Sequence, residues 1–168
     1  MSKFVLIDGH SILNRAFYGV PIFTNSEGLH TNAVFGFLNI MFKIIDSKQP
    51  DYMAVAFDVH KPTFRHEMFK DYKGTRKPMM EELREQVPVI KELLQKMNIT
   101  TVELPGYEAD DVIGTLSKKG EKASMEVDVI SGDRDLLQLA SDHITICIPK
   151  TKKGQTTVEE YNTEGVMK

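Results

Sequence analysis

Short apolar runs alternate along the chain with stretches in which apolar residues recur every three or four positions, a pattern that predicts alternating strands and helices. Phe4-Val5-Leu6-Ile7, Met53-Ala54-Val55-Ala56-Phe57, Ile99 to Leu104, Val127-Asp128-Val129-Ile130 and Ile144 to Ile148 read as strands. Several are apolar throughout, as fits strands covered on both faces of a parallel sheet. Helical spacing runs from Asn32 to Ile45 through Val34, Phe37, Leu38, Met41, Ile44 and Ile45, and from Glu81 to Met97 through Leu83, Val87, Ile90 and Leu94. Pro88 cannot donate within the second helix, so a bend or a fresh helical start is expected there. Glu108 to Lys119 and Asp133 to Ala140 read as two more helices, and Lys152-Lys153-Gly154 as a turn into a short strand at Thr156-Thr157-Val158. The order βαβαβαβ predicts one α/β domain with a central, mostly parallel sheet flanked by helices, over all 168 residues.

Where the strands end, acids follow. Asp8 directly succeeds the first strand and Asp58 the second; the third leads through Pro105-Gly106-Tyr107 to Glu108, Asp110 and Asp111; the fourth leads through Ser131-Gly132 to Asp133 and Asp135. Open parallel sheets bind ligands outside the carboxyl ends of their strands, so these seven acids are expected to meet in one crevice. Two like charges about 4 Å apart repel by roughly 4 kcal/mol at an effective dielectric constant near 20. Crowded carboxylates therefore either take up protons or bind hard cations. With no histidine or cysteine in the set, Mg2+ or Mn2+ suits it better than zinc. Such a site supports metal-assisted phosphodiester hydrolysis. Each acid taken singly could instead cap a helix, and for Asp110 and Asp133 that reading has equal weight.

Composition changes this picture in two places. The formal charge of −3 is unusual for a binder of nucleic acid, but setting the seven acids aside from 24 leaves a mildly basic remainder against 21 Lys and Arg. Much of that base lies between His60 and Lys77, where Lys61, Arg65, Lys70, Lys73, Arg76 and Lys77 outnumber Glu67 and Asp71, with Phe64, Phe69 and Tyr72 interleaved. Cations for phosphates and rings for bases suit single-stranded nucleic acid, and the position directly after Asp58 puts the stretch over the crevice. The lone Cys147 lies in an apolar run and reads as core filling. No apolar run approaches the ~18 residues of a membrane span and no secretory signal opens the chain, so a cytoplasmic protein with no membrane partner is expected.

At Ile7-Asp8-Gly9-His10-Ser11, Tyr72-Lys73-Gly74-Thr75-Arg76, Gly106-Tyr107-Glu108-Ala109-Asp110-Asp111 and Ser131-Gly132-Asp133-Arg134-Asp135, the chain resembles the 5′ nuclease (flap endonuclease) family. The likeness runs from Phe4 to about Tyr161, and is nearest to the exonuclease domains that bacterial polymerases carry. It implies a PIN-like α/β fold in which Asp8, Asp58, Glu108, Asp110, Asp111, Asp133 and Asp135 hold divalent metal, two Mg2+ ions in the complete site with Mn2+ able to substitute. It further implies a basic arch over residues 60–80 that admits a single-stranded 5′ arm. There Lys73 and Arg76 would steer the scissile phosphate as catalytic residues, and Phe64, Arg65, Lys70, Tyr72 and Lys77 would contact DNA with them. The implied partner is DNA with a 5′ end, nick or 5′ flap, cut by a bacterial, nucleoid-associated monomer during replication and repair. Arg15, Phe17 and Tyr18 would lie near the mouth of the site, without an assigned role. In the family a helix-hairpin-helix region follows, grips duplex DNA and adds metal-ligand aspartates; this sequence stops at Lys168, before it. A truncated chain, with weaker duplex binding, reduced activity and a doubtful second metal position, is expected.

Two other readings stand beside this one, the first a related enzyme and the second of another class. A PIN-type endoribonuclease shares the crevice and sheet but needs no long basic stretch after the second strand. A non-catalytic DNA-binding fragment would use its acids only as caps. Dinucleotide binding is disfavoured because Gly9 lacks the Gly-x-Gly-x-x-Gly continuation.

Overall fold

The structure, a computed structural model, describes residues 1–59, 81–152 and 155–163. Its elements are β1 (Lys3–Asp8), α1 (Gly9–Gly19), α2 (Asn32–Lys48), β2 (Tyr52–Ala56), α3 (Glu81–Arg84), α4 (Val87–Lys96), β3 (Thr100–Val102), α5 (Ala109–Lys122), β4 (Glu126–Ile130), a 3-10 turn (Arg134–Leu139), β5 (Ile144–Lys152) and β6 (Gln155–Tyr161). One six-stranded sheet runs β3-β2-β1-β4-β5-β6. The first five strands are parallel, and β6 returns antiparallel along β5. The chain builds outward from β1 through β2 to β3, then crosses back to β4 on the other side. The crevice of such a sheet opens at this switch, between the carboxyl ends of β1 and β4.

Alternation along β1 divides the core. Val5 and Ile7 join Val55 and Phe57 beneath α1, α2 and α4. Leu6 joins Ala54, Ala56, Val127 and Val129 beneath α5 and the 3-10 turn. Each fully buried aliphatic or aromatic side chain contributes roughly 1.5–3 kcal/mol, and both sheet faces are covered, which is why these strands carry so little polarity.

Three elements differ from the sequence expectation. Helix α1 was not anticipated, although Ile12, Leu13, Ala16 and Phe17 are buried along one face of it. It starts with no loop, because Asp8 ends β1 and is also the N-cap of α1. That junction needs Gly9: a Cβ there would sit 2.4 Å from the Phe57 ring. The residues after Asp133 form a 3-10 turn rather than an α-helix. The third strand is also shorter than Ile99 to Leu104. The break near Pro88 holds, with α3 ending at Arg84 and Pro88 in the first turn of α4.

Gln86, at that break, is fully buried. Its Oε1 accepts from the nitrogens of Ala33 and Val34 at 2.7 and 3.0 Å, satisfying free amides at the start of α2. Its Nε2 donates to Asn32 Oδ1 and to the Glu82 carbonyl. A side chain from the α3–α4 junction thus caps a helix more than 50 residues earlier.

Cys147 is buried as expected, and burial pushes its thiol up to about 12, the Asp128 charge adding to the effect. The sequence reading did not single out Asp128, a buried acid within β4. Lys48 and Lys3 face it at 3.5 and 4.0 Å, and Lys48 also pairs with Glu160, so these charges join α2 to the sheet. Asp128, Cys147 and Glu160 lie close enough to share a cation, but the lysine ammonium groups already supply the positive charge there.

Candidate active site

The acids anticipated from sequence come from four places in the fold. Asp8 closes β1, Asp58 follows β2, Glu108, Asp110 and Asp111 open α5, and Asp133 follows β4. Asp8 is 7% exposed and Glu108 is 3% exposed, both far below the usual exposure of carboxylates. Within the group that opens α5, ligand atoms of Glu108, Asp110 and Asp111 all lie within 4.8 Å of one another, close enough to share one cation.

Local chemistry fixes each position. Leu104 to Tyr107 is a tight turn closed by the Tyr107 nitrogen donating to the Leu104 carbonyl at 3.2 Å. Pro105 and Gly106 hold its centre, and the φ of +87° at Gly106 is the left-handed value a type II turn requires. The turn delivers Glu108 as the N-cap of α5. There Glu108 and Asp111 form a capping box, the Asp111 carboxylate accepting from the Glu108 nitrogen at 3.1 Å. Asp133 likewise caps the 3-10 turn, accepting from the Asp135 nitrogen at 2.9 Å. The capping role is therefore real, and the amides that cap also offset part of the carboxylate charge.

Asp58 ties two of the groups together, with its Oδ1 accepting from the Ala109 nitrogen at 2.6 Å. On its other side the Asp58 nitrogen donates to His10 Nδ1 at 3.2 Å. Burial lowers the His10 pKa, with the Asp58 charge opposing, and an accepting Nδ1 is what a neutral ring offers. The third group is tied to the first by serines: Ser131 Oγ donates to Asp8 Oδ2 at 2.9 Å, and Ser11 Oγ accepts from the Gly132 nitrogen at 2.8 Å. Arg15 closes the same loop from behind, its guanidinium donating to the carbonyls of Pro149 at 2.8 Å and Gly132 at 3.3 Å.

Burial and neighbouring charge act together on Asp8. Burial pushes Asp8 up to about 6; the Ser131 hydrogen bond opposes this, while the charges of Asp58 and Asp133 add to it. Those two carboxylates thus act on Asp8 from either side. Asp135 stands apart, exposed on the 3-10 turn and linked to the set through its backbone bond to Asp133. Lys73, Arg76, Phe64, Arg65, Lys70, Tyr72 and Lys77 lie outside the described residues, as do Lys153-Gly154 and the end of the chain after Thr163. Sequence reasoning missed the supporting residues His10, Ser11 and Ser131. They flank the acids inside the motifs, but their role depends on β1 lying beside β4.

The site fits a hard divalent cation. Every candidate ligand is a carboxylate oxygen: the acids that open α5 lie close enough to share one ion, and Asp8, raised to about 6 chiefly by burial, also feels the charges of Asp58 and Asp133. Beside Asp111 a cleft of about 610 Å³ opens between β3 and α5, lined by Val102, Leu104, Tyr107, Val112 and Leu116.

A parallel α/β domain with acids at its strand ends suits metal-assisted chemistry on phosphate esters, and known proteins narrow the class. Residues 3–168 match the model of the 5′-3′ exonuclease, N-terminal resolvase-like domain. The chain is 52% identical over 164 residues to DNA polymerase I of Bacillus caldotenax and equally to that of Bacillus subtilis, covering 98% of this chain and 18% of either polymerase. Among solved structures it superposes on the T5 5′-exonuclease with bound zinc at a TM-score of 0.71 and 24% identity, covering 95% of this chain and 58% of that one. This chain belongs to the 5′-3′ exonuclease N-terminal domain family, and its fold is that of the PIN-like 5′ nucleases. It spans about a fifth of the length of the curated polymerases it matches.

Proposed function

We propose that the chain is the nuclease domain of a DNA polymerase I, hydrolysing phosphodiester bonds at the 5′ ends of nicked or flapped DNA with two Mg2+ ions, for which Mn2+ can substitute. The observation that carries this reading is the placement of acids from β1, β2, α5 and the loop after β4 at the carboxyl ends of the strands, with Asp58 and Asp133 acting on Asp8 and Asp58 bonded to the start of α5. Membership of the exonuclease family supports it, as does the T5 flap endonuclease solved in a complex with DNA and metal ions, which shares the fold at a TM-score of 0.69. The reading carries with it a cytoplasmic monomer that meets the chromosome; among the described residues no helix is long and apolar enough to cross a membrane.

Asp8, Asp58, Glu108, Asp110, Asp111, Asp133 and Asp135 would hold the ions. Held there, a divalent ion would supply the Lewis acidity that activates water and balances the charge of the phosphate and the departing oxygen. The chain's own residues do the positioning. Ser131 and the Ser11 amide orient Asp8, Ala109 orients Asp58, and the capping box orients Asp111. The stretch between Asp58 and α3 supplies Lys73 and Arg76 to the scissile phosphate, and Phe64, Arg65, Lys70, Tyr72 and Lys77 to the single-stranded arm. Its two flanks support this, since one follows Asp58 at the carboxylates and the other begins α3, whose Leu83 packs into the core.

A 5′-labelled flap incubated with Mg2+ tests the reading. Asp111→Asn is expected to abolish cleavage and spare DNA binding, whereas Lys73→Ala weakens both. Full cleavage by Asp111→Asn would overturn it.

A further inference from the structure

We propose that Ser131 is a positioning residue of this site, its hydroxyl setting the distance between the β1 and β4 carboxylates that hold metal. The inference rests on the reading of Asp8 and Asp133 as metal ligands. Ser131 is fully buried at the end of β4, where its backbone nitrogen donates to the Cys147 carbonyl at 3.1 Å and anchors the strand end to β5. Its side chain faces the other way, toward β1. The single hydroxyl hydrogen goes to Asp8 Oδ2 at 2.9 Å, and the same oxygen accepts from the Asp133 nitrogen at 3.0 Å. Ser11 Oγ lies 3.4 Å away, a long contact beside these two bonds.

A serine needed only to cap the turn after β4 would use the Asp133 bond alone. Ser131 also spends its one donor on a carboxylate of the neighbouring strand, so the rotamer of Asp8 and the path of the Asp133 backbone are set by one atom. Ser11 repeats the link one residue on, through the Gly132 nitrogen. Partners of this kind orient metal ligands, and removing one typically lowers metal affinity or activity 10–100-fold.

The test uses the complete protein with Mn2+ binding read by calorimetry and flap cleavage read in parallel. Ser131→Ala is expected to weaken Mn2+ binding about tenfold and lower kcat to a similar extent, with KM for DNA within about twofold of wild type. Ser131→Thr, which keeps the hydroxyl, restores both. Ser131→Cys keeps the shape of the side chain at slightly larger size but is a weak donor, and reports the same loss of Mn2+ affinity should the alanine variant not fold. Asp8→Asn serves as the reference. Loss of Mn2+ by Asp8→Asn with wild-type Mn2+ affinity in the Ser131 variants would overturn the role of Ser131 alone. Wild-type Mn2+ affinity in Asp8→Asn would overturn the metal reading, and this inference with it.

Discussion

Asp58 accepts a 2.6 Å hydrogen bond from the backbone nitrogen of Ala109, 51 residues further along the chain. One carboxylate oxygen thus serves both a helix N-terminus and the edge of a crowded acid cluster. Asp58→Asn keeps an acceptor and removes a charge that repels Asp8, so its metal-free stability should lie within about 0.5 kcal/mol of wild type. Asp58→Ala deletes the acceptor and should cost about 1–2 kcal/mol. Urea unfolding in chelator distinguishes the two, and equal losses would show that the bond to Ala109 contributes nothing.

Metal binding and pH are linked through Asp8. Its carboxyl rises from 3.8 to about 6 on folding, chiefly by burial, so the fold favours the protonated form. Stability from this group is fully present below pH 3.8 and is lost as pH rises through about 6, a difference of roughly 3 kcal/mol in metal-free protein. Divalent metal requires the ionised form. Mg2+ should therefore raise the melting temperature far more at pH 7.5 than at pH 5, and equal increments would contradict this account.

Replacing Gln86 with Leu leaves the amides of Ala33 and Val34 buried without their acceptor. The expected cost is roughly 2–4 kcal/mol, because an unmet buried donor loses its full solvation. Chemical denaturation measures it, and a neutral result would mean that α2 caps itself another way.

Cys147 should be inert. With its thiol near 12, the thiolate fraction at pH 8 is on the order of one part in ten thousand. Iodoacetamide is expected to leave the folded protein unmodified and to label it fully in denaturant. Rapid labelling of the native protein would contradict the burial of this residue.

Much of this fold is legible in the sequence. The cores of β1, β2 and β4 announced themselves because strands buried on both faces must be apolar, as Val5, Leu6 and Ile7 are. Helix α1 escaped because it starts at the last residue of β1 with no turn between, so its periodic Ile12, Leu13, Ala16 and Phe17 followed Asp8 without punctuation. The six residues of the 3-10 turn are too few for any period to separate it from an α-helix. At the site, the acids were visible because each ends a strand or opens a helix. Their supports were not, because Ser131 reaches Asp8 across 123 residues, and only the placement of β1 beside β4 makes them neighbours. Asp128 was hidden for the same reason: Lys3 and Lys48 come to it from other elements.

The central claim is that the strand-end acids form a divalent-metal site, and anomalous diffraction from a crystal soaked in manganese tests it without relying on catalysis. The account predicts peaks among Asp8, Asp58, Glu108, Asp111 and Asp133, lost in the Asp111→Asn protein. A folded protein with no manganese peak among these carboxylates would contradict it.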